Sequence, residues 1–229
     1  MKIQERYNGI TRWFSEHVPD PATELRYRDP YGLLVAVILS AQCTDKRINM
    51  VTPLLLERFP TPADLAAASE QEIFGYIKSV SYPNSKAANL KAMARTLIDE
   101  FGGVVPDNVQ DLMKLKGVGR KTANVVVSVV YGQPAMAVDT HVFRVSARTG
   151  LTRGAKNPRQ AEDQLVGHFP REILGRAHHW LILHGRYVCT ARAPKCDICG
   201  ISRWCKYYET KVRQEAAKES GDEPSTAKK

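Results

Sequence analysis

Four of the five cysteines are crowded into one stretch, Cys189-x6-Cys196-x2-Cys199-x5-Cys205. The opening residues, MKIQERYNGI, carry no apolar export segment, so the thiols are expected to stay reduced, and clustered thiols then point to a soft metal centre rather than to disulfides. Zinc is the usual tenant of four cysteines. Only one Cys-x2-Cys pair is present here, and a [4Fe-4S] cubane, which spreads its ligands over wider corners, suits the spacing as well. The spacing alone leaves both open. Cys43 stands apart with no histidine near it in sequence, and is read as a small buried apolar group without chemistry.

A second group of residues surrounds a glycine pair, in LMKLKGVGRKTAN from Leu112 to Asn124. Gly117-Val118-Gly119 permits a tight turn between two helical stretches, where successive amides and the next helix start can face a phosphate oxygen. An ordinary helix-turn-helix corner, with Val118 plugging the core, would need the same glycines. Lys114, Lys116 and Arg120 tilt the reading toward a nucleic-acid backbone, and no Gly-Lys-Ser/Thr follows that would make a nucleotide-binding loop. Lys121 would lie in the first helical turn, where the positive pole disfavours an ammonium ion and partial burial would add to the effect. A free lysine titrates near about 10.4, whereas an amine nucleophile at neutral pH wants about 7 to 8. The other reading is a phosphate-gripping lysine like its neighbours. Asp139 in VDTHVFRV can cap a helix, and a carboxylate there can also take a proton or stabilise developing positive charge.

The elements that must hold these groups read as helices. Apolar residues recur three or four apart, as in Ala87, Leu90, Met93, Ala94, Leu97, Ile98 and Phe101. Asp29-Pro30, Thr61-Pro62 and Asn157-Pro158 each pair a capping side chain with a proline at the first helical position. The β-branched run Val125–Val130 is read as a buried helix between Gly119 and Gly132, and Pro53 is expected to kink or end the helix that begins near Thr44. The formal charge of the 229 residues is +9, from 33 Lys and Arg against 24 Asp and Glu, which excludes an acidic solvating protein and favours a polyanionic partner. The excess is concentrated: the segment 114–133 holds four bases and no acid, and 186–206 holds five bases against Asp197. The charge-free stretch 30–44, and the longer one at 122–138, are both short of the roughly 20 residues that cross a bilayer, and a cytoplasmic protein without a membrane partner is expected. Beyond Tyr208 the sequence turns polar, and its last residues are expected to form a mobile tail.

With LKGVGRKTANVV, VDTHVFRV and the cysteine spacing in place, together with SAQCTDKRIN, YPNSKAANL and HHWLILHGRYVC, the chain resembles the endonuclease III family of helix-hairpin-helix DNA glycosylases. The resemblance runs from the N-terminal helix to about Tyr208. It implies an all-α fold with residues 1–22 as an N-terminal helix packing on the cluster domain, 23–133 as a six-helix barrel with the hairpin, 134–210 completing the cluster domain, and 211–229 as a charged tail. It implies a [4Fe-4S] cluster on Cys189, Cys196, Cys199 and Cys205, with Arg192 and Lys195 of the intervening loop facing DNA phosphates. Lys121 becomes the attacking amine and Asp139 the essential carboxylate of a bifunctional glycosylase and AP lyase. Gly117, Val118, Gly119 and Arg120 become backbone contacts, and Gln42 a candidate to fill the space of an extruded base, its other reading being a cap or core hydrogen bond. The implied partner is double-stranded DNA carrying oxidised or ring-saturated pyrimidines or abasic sites, bound by a monomer. Two departures stand out. Ser81-Tyr82-Pro83 occupies the place where many relatives have a Gly-Leu/Phe-Tyr type sequence, leaving the duplex-wedging side chain unassigned, and Lys116 replaces a common proline. A water-using adenine glycosylase of the same fold is disfavoured by Lys121, and a non-catalytic DNA-binding module by the presence of both Lys121 and Asp139.

Overall fold

The computed structural model describes residues 1–219, and these are all-α, with no strand. In chain order the helices are α1 (Ile3–His17), α2 (Pro30–Ser40), α3 (Asp45–Arg58), α4 (Pro62–Ala67), α5 (Glu70–Ile77), α6 (Pro83–Phe101), α7 (Val109–Leu112), α8 (Arg120–Tyr131), α9 (Thr140–Thr149), α10 (Pro158–His168), α11 (Leu174–Tyr187) and α12 (Lys206–Glu219). Short 3-10 turns occupy Arg171–Ile173, Cys196–Ile198 and Ser202–Trp204. The chain divides into two compact units. A central unit spans Ala22–Ala137, and a terminal unit combines Met1–Pro21 with the chain from Val138 onward. None of the described helices is long and apolar enough to cross a membrane.

The central unit is built round α2. Every residue from Tyr31 to Leu39 is buried, as required of a helix that is apolar on all sides. Leu90, Met93, Ala94 and Leu97 of α6, Leu112 and Leu115 before the glycine turn, and Ala123 and Val126 of α8 share its core. Each fully buried Leu, Ile or Val contributes about 1.5–3 kcal/mol of apolar burial. Helix starts follow the sequence. Asp29, Thr61 and Asn157 each accept an amide of the first turn, with proline at the first helical position. The valine run lies in α8 as expected, entered from Gly119 and ended by Gly132 in a left-handed conformation. Pro53 does not end α3, which has Thr44 as its cap and continues to Arg58.

The terminal unit joins both ends of the described chain. α1 buries Tyr7, Ile10 and Phe14, with Phe14 stacked on Trp180 and Tyr7 edge-on to Phe169, and the same unit buries Val142, Val145, Leu165 and Leu181. The Tyr7 hydroxyl donates to the Leu151 carbonyl at 2.8 Å, and Trp180 Nε1 donates to the Val18 carbonyl at 2.7 Å. Two tryptophans interlock with two glycines: the Trp204 indole lies where a Cβ on Gly9 would stand, and Trp13 lies where one on Gly200 would. This contact ties α1 directly to the four-cysteine segment. The polar stretch after Tyr208 begins as helix, since α12 runs to Glu219; the remainder of the expected tail, 220–229, lies outside the described residues.

Candidate functional site: a glycine hairpin, two left-handed turns and a cysteine-lined recess

The hairpin forms as a run of tight turns. Lys114, Leu115 and Val118 donate their amides to the carbonyls of Asp111, Leu112 and Leu115, which compacts the chain between α7 and α8. Gly117 has φ +82, and a Cβ there would stand 3.2 Å from Asn89 Cβ and 3.4 Å from Ile38 Cγ2; the turn needs glycine for both its backbone and its contact with α6 and α2. Val118 is buried, so the corner reading of this residue holds, while Lys116, Gly117, Gly119 and Arg120 are exposed. Gly119 offers no side chain to cap α8, and the positive pole of a helix start suits an anionic partner. Lys114 is committed to an ion pair with Asp111 at 2.7 Å. Lys121 lies in the first turn of α8 and is exposed. The partial burial expected from sequence is not found.

Beside the hairpin, two turns of the central unit are strained. Gln42 (φ 56) and Tyr82 (φ 55) are the two non-glycine residues with left-handed backbone among those described. Such residues cost of order 1–3 kcal/mol and persist where their surroundings over-determine them. Tyr82 is doubly unusual because it precedes Pro83, which restricts the residue before it. The two turns are joined: Ser81 Oγ donates to the Gln42 carbonyl at 2.7 Å. From α6, Lys86 Nζ donates to the carbonyls of Leu39 (2.8 Å) and Ala41 (2.6 Å) at the end of α2. Burial lowers the pKa of Lys86, with the nearby Cys43 acting in the opposite sense. The Gln42 side chain is exposed, and Tyr82 is 65% exposed. Sequence reading picked out Gln42 and flagged the Ser81-Tyr82-Pro83 stretch without assigning Tyr82 a role, and it missed Lys86; an aromatic immediately before a helix-starting proline was the available signal for Tyr82.

In the terminal unit, Asp139 caps α9, accepting the Val142 amide at 2.7 Å, and is half-buried. Farther along α9, Arg144 donates to the carbonyls of Gly185 (2.8 Å) and Cys189 (3.2 and 3.3 Å). The helix that begins with the carboxylate therefore also holds the first cysteine.

Cys189, Cys196, Cys199 and Cys205 line one recess, together with Thr149, His184, Pro194, Ile201 and Tyr207. All four are free thiols. No group of three or more His, Cys, Asp or Glu among the described residues converges as a single metal ion would require. Thiols distributed round a recess fit a cubane, whose iron corners each take one thiolate, better than a single tetrahedral zinc. Burial pushes the Cys199 thiol up to about 11 and raises Cys196 and Cys205 as well, with the neighbouring cysteines contributing in the same direction. Four thiolates here thus require the positive charge of a metal centre. His184 Nε2 lies 3.6 Å from Cys199 Sγ, and burial lowers its pKa to about 4, so the ring is neutral. Arg192 and Lys195, on the loop between the first two cysteines, are exposed.

Comparison with known proteins agrees with this arrangement. Residues 35–171 match the family model described as HhH-GPD superfamily base excision DNA repair protein, and residues 189–205 match the iron-sulfur binding domain of endonuclease III. The chain is 48% identical over 205 residues to endonuclease III of Rickettsia felis, covering 90% of this chain and 96% of that one. It is 44% identical over 209 residues to endonuclease III of Escherichia coli K12, covering 91% and 98%. A solved structure of a trapped endonuclease III–DNA covalent intermediate superposes with a TM-score of 0.87 at 41% identity, over 93% of this chain and all of that one. A thermostable thymine-DNA glycosylase gives 0.81 at 25% identity, over 90% and 98%. The hairpin and the cysteine recess each fall inside a matched segment, and the relatives are covered almost end to end: the chain belongs to the endonuclease III family, the helix-hairpin-helix base excision repair glycosylases with AP lyase activity and a [4Fe-4S] cluster.

Proposed function

We propose that this chain removes oxidised or ring-saturated pyrimidines from duplex DNA through a covalent bond to Lys121 and then cleaves the strand 3′ of the abasic site. The observation that carries the reading is the exposed amine of Lys121 in the first turn of α8, directly after the uncapped glycine hairpin. The exposed turn at Gly117 and Gly119 and the positive pole of α8 meet a phosphate, and the damaged nucleotide turns out of the stack because C1′ is shielded inside it. Damage weakens pairing and stacking, so these nucleotides leave more readily than intact ones. Gln42 enters the vacated space and Tyr82 wedges the duplex beside it; both sit on rigid, mutually bonded turns.

Lys121 in its neutral form attacks C1′, the C1′–N bond breaks, and the base departs after taking a proton. The lysine gives up a proton to a base as the adduct forms, and Asp139 is assigned as the essential carboxylate, a group suited to proton acceptance and to stabilising positive charge on the sugar. Ring opening gives a Schiff base on Lys121. Loss of a C2′ proton then expels the 3′ phosphate by β-elimination, and water releases the lysine and the unsaturated aldehyde. Cys189, Cys196, Cys199 and Cys205 hold the [4Fe-4S] cluster, which supplies a fixed metal-thiolate knot for the Thr190–Lys195 loop, so that Arg192 and Lys195 meet phosphates. The protein acts as a monomer in the cytoplasm.

Borohydride reduction during reaction with a thymine-glycol or abasic duplex tests the reading. Wild type is expected to yield a covalent complex and Lys121→Gln none, with duplex affinity retained. Strand cleavage without any trapped complex, or trapping by Lys121→Gln at the wild-type level, overturns it.

A further inference from the structure

One residue in the last turn of α9 touches both ends of the four-cysteine segment, with its side chain at the Cys189 end and its backbone carbonyl at Cys205. Arg148 Nη1 donates to the Thr190 carbonyl at 2.6 Å and lies 3.6 Å from Cys189 Sγ, while Nη2 donates to the Ala191 carbonyl at 2.6 Å. The backbone carbonyl of Arg148 accepts from the Cys205 thiol at 3.7 Å, and its guanidinium stands 5.5 Å from the centre of the Tyr207 ring. A planar fork reaches two carbonyls and a sulfur at once; a lysine ammonium is a single point of charge and cannot match that geometry.

We infer that Arg148 is a positioning residue with two coupled tasks, fixing the loop that carries Arg192 and Lys195 and keeping a permanent positive charge against the Cys189 sulfur. The inference rests on the reading of the four cysteines as cluster ligands. The loop's own bond from Thr190 Oγ1 to the Ala193 carbonyl closes a turn, but the carbonyls of Thr190 and Ala191 are held from outside it, by Arg148. The held carbonyl of Ala191 immediately precedes Arg192, so the direction of that exposed base follows from the clasp. A cubane bound by four thiolates is a net anion. Charge and hydrogen bonds at its sulfurs set its reduction potential, and a cation at Cys189 favours the more reduced form.

The test compares cluster-loaded wild type with Arg148→Gln, Arg148→Lys and Arg192→Gln. Four quantities are read: iron per chain, the rate at which a chelator bleaches the iron-thiolate band, the midpoint potential, and affinity for a duplex with a stable abasic-site analogue. Arg148→Gln is expected to lose iron several-fold faster, to shift the potential to more negative values and to weaken duplex binding several-fold. Arg148→Lys keeps the charge without the fork, so its potential stays near wild type while iron loss and duplex affinity follow Arg148→Gln. Arg192→Gln weakens duplex binding only. Wild-type potential and iron retention in Arg148→Gln overturn the inference, as does an Arg148→Lys protein identical to wild type in iron loss and affinity should Arg148→Gln fail to fold. A wild-type protein without iron overturns the ligand reading itself, and the inference with it, and so is told apart from a failure at Arg148.

Discussion

Asp139 caps α9 and, in the proposed reaction, is also the essential carboxylate, two tasks that chemistry can separate. Asparagine caps a helix about as well as aspartate, so Asp139→Asn is expected to retain the melting temperature while excision under single-turnover conditions falls by orders of magnitude; Asp139→Ala should lose about 1 kcal/mol of stability besides. A slow Asp139→Asn protein with a lowered melting temperature would assign the defect to the cap instead. Tyr82 invites the opposite trade. Glycine tolerates its left-handed backbone, so Tyr82→Gly is expected to gain of order 1 kcal/mol in stability while losing excision on a fully paired lesion duplex, with less effect where the lesion is already mismatched. Equal loss on both substrates, or on neither, removes Tyr82 from the duplex contact. The sequence disclosed the chemical types at this scale, the lysine after a glycine pair and the crowded thiols, because both are local patterns. It did not disclose that Lys121 is exposed, that Lys114 is taken up by Asp111, or that Arg148 reaches Cys189. Those facts depend on contacts through space, and only the fold creates them.

Among the elements, the legible parts were those governed by neighbours in the chain. Proline-started helices and the glycine-bracketed valine helix α8 appear where capping and periodicity put them. Less local features escaped. α3 passes through Pro53, because burial of Ile48, Val51 and Leu55 outweighs the lost backbone bond, and polar α12 continues to Glu219. The interlock of α1 with the cysteine segment could not be read from sequence either, since Gly9 and Trp204 lie at opposite ends of it. Gly9→Ala forces a methyl into the Trp204 ring and is expected to destabilise the protein by about 1–3 kcal/mol, with faster loss of iron to chelators; a denaturation midpoint unchanged from wild type would mean that the indole simply moves aside. The terminal unit also carries a pH limit. Burial lowers the pKa of His179, its bond with the Gly175 carbonyl offsetting this in part. A base with a depressed folded-state pKa is neutral in the fold and charges on unfolding, so stability is expected to fall as pH drops below about 6.5. Denaturant midpoints between pH 7 and 5 should fall less steeply in His179→Gln, and parallel profiles would refute the assignment.

For the whole molecule, the excess of nine positive charges sets how binding responds to salt. Association with undamaged duplex is expected to weaken steeply with ionic strength, by a slope of about −0.9 per phosphate neutralised. Removing exposed Lys116 or Arg192 should lower that slope by about one each, and an unchanged slope would place the side chain off the phosphates. The composition suggested a polyanionic partner from the outset, but only the exposure of these bases around the hairpin and the cysteine loop gives that charge an address. The chain path has a further consequence. The terminal unit takes Met1–Pro21 and everything from Val138, while the central unit is continuous. On the ribosome, α1 is made before the central unit, and its Tyr7, Ile10 and Phe14 wait for the later elements of their own unit, by which time the central unit has been synthesised. A message cut short after residue 137 therefore leaves α1 without the elements of its own unit, its apolar face open to chaperones and proteases.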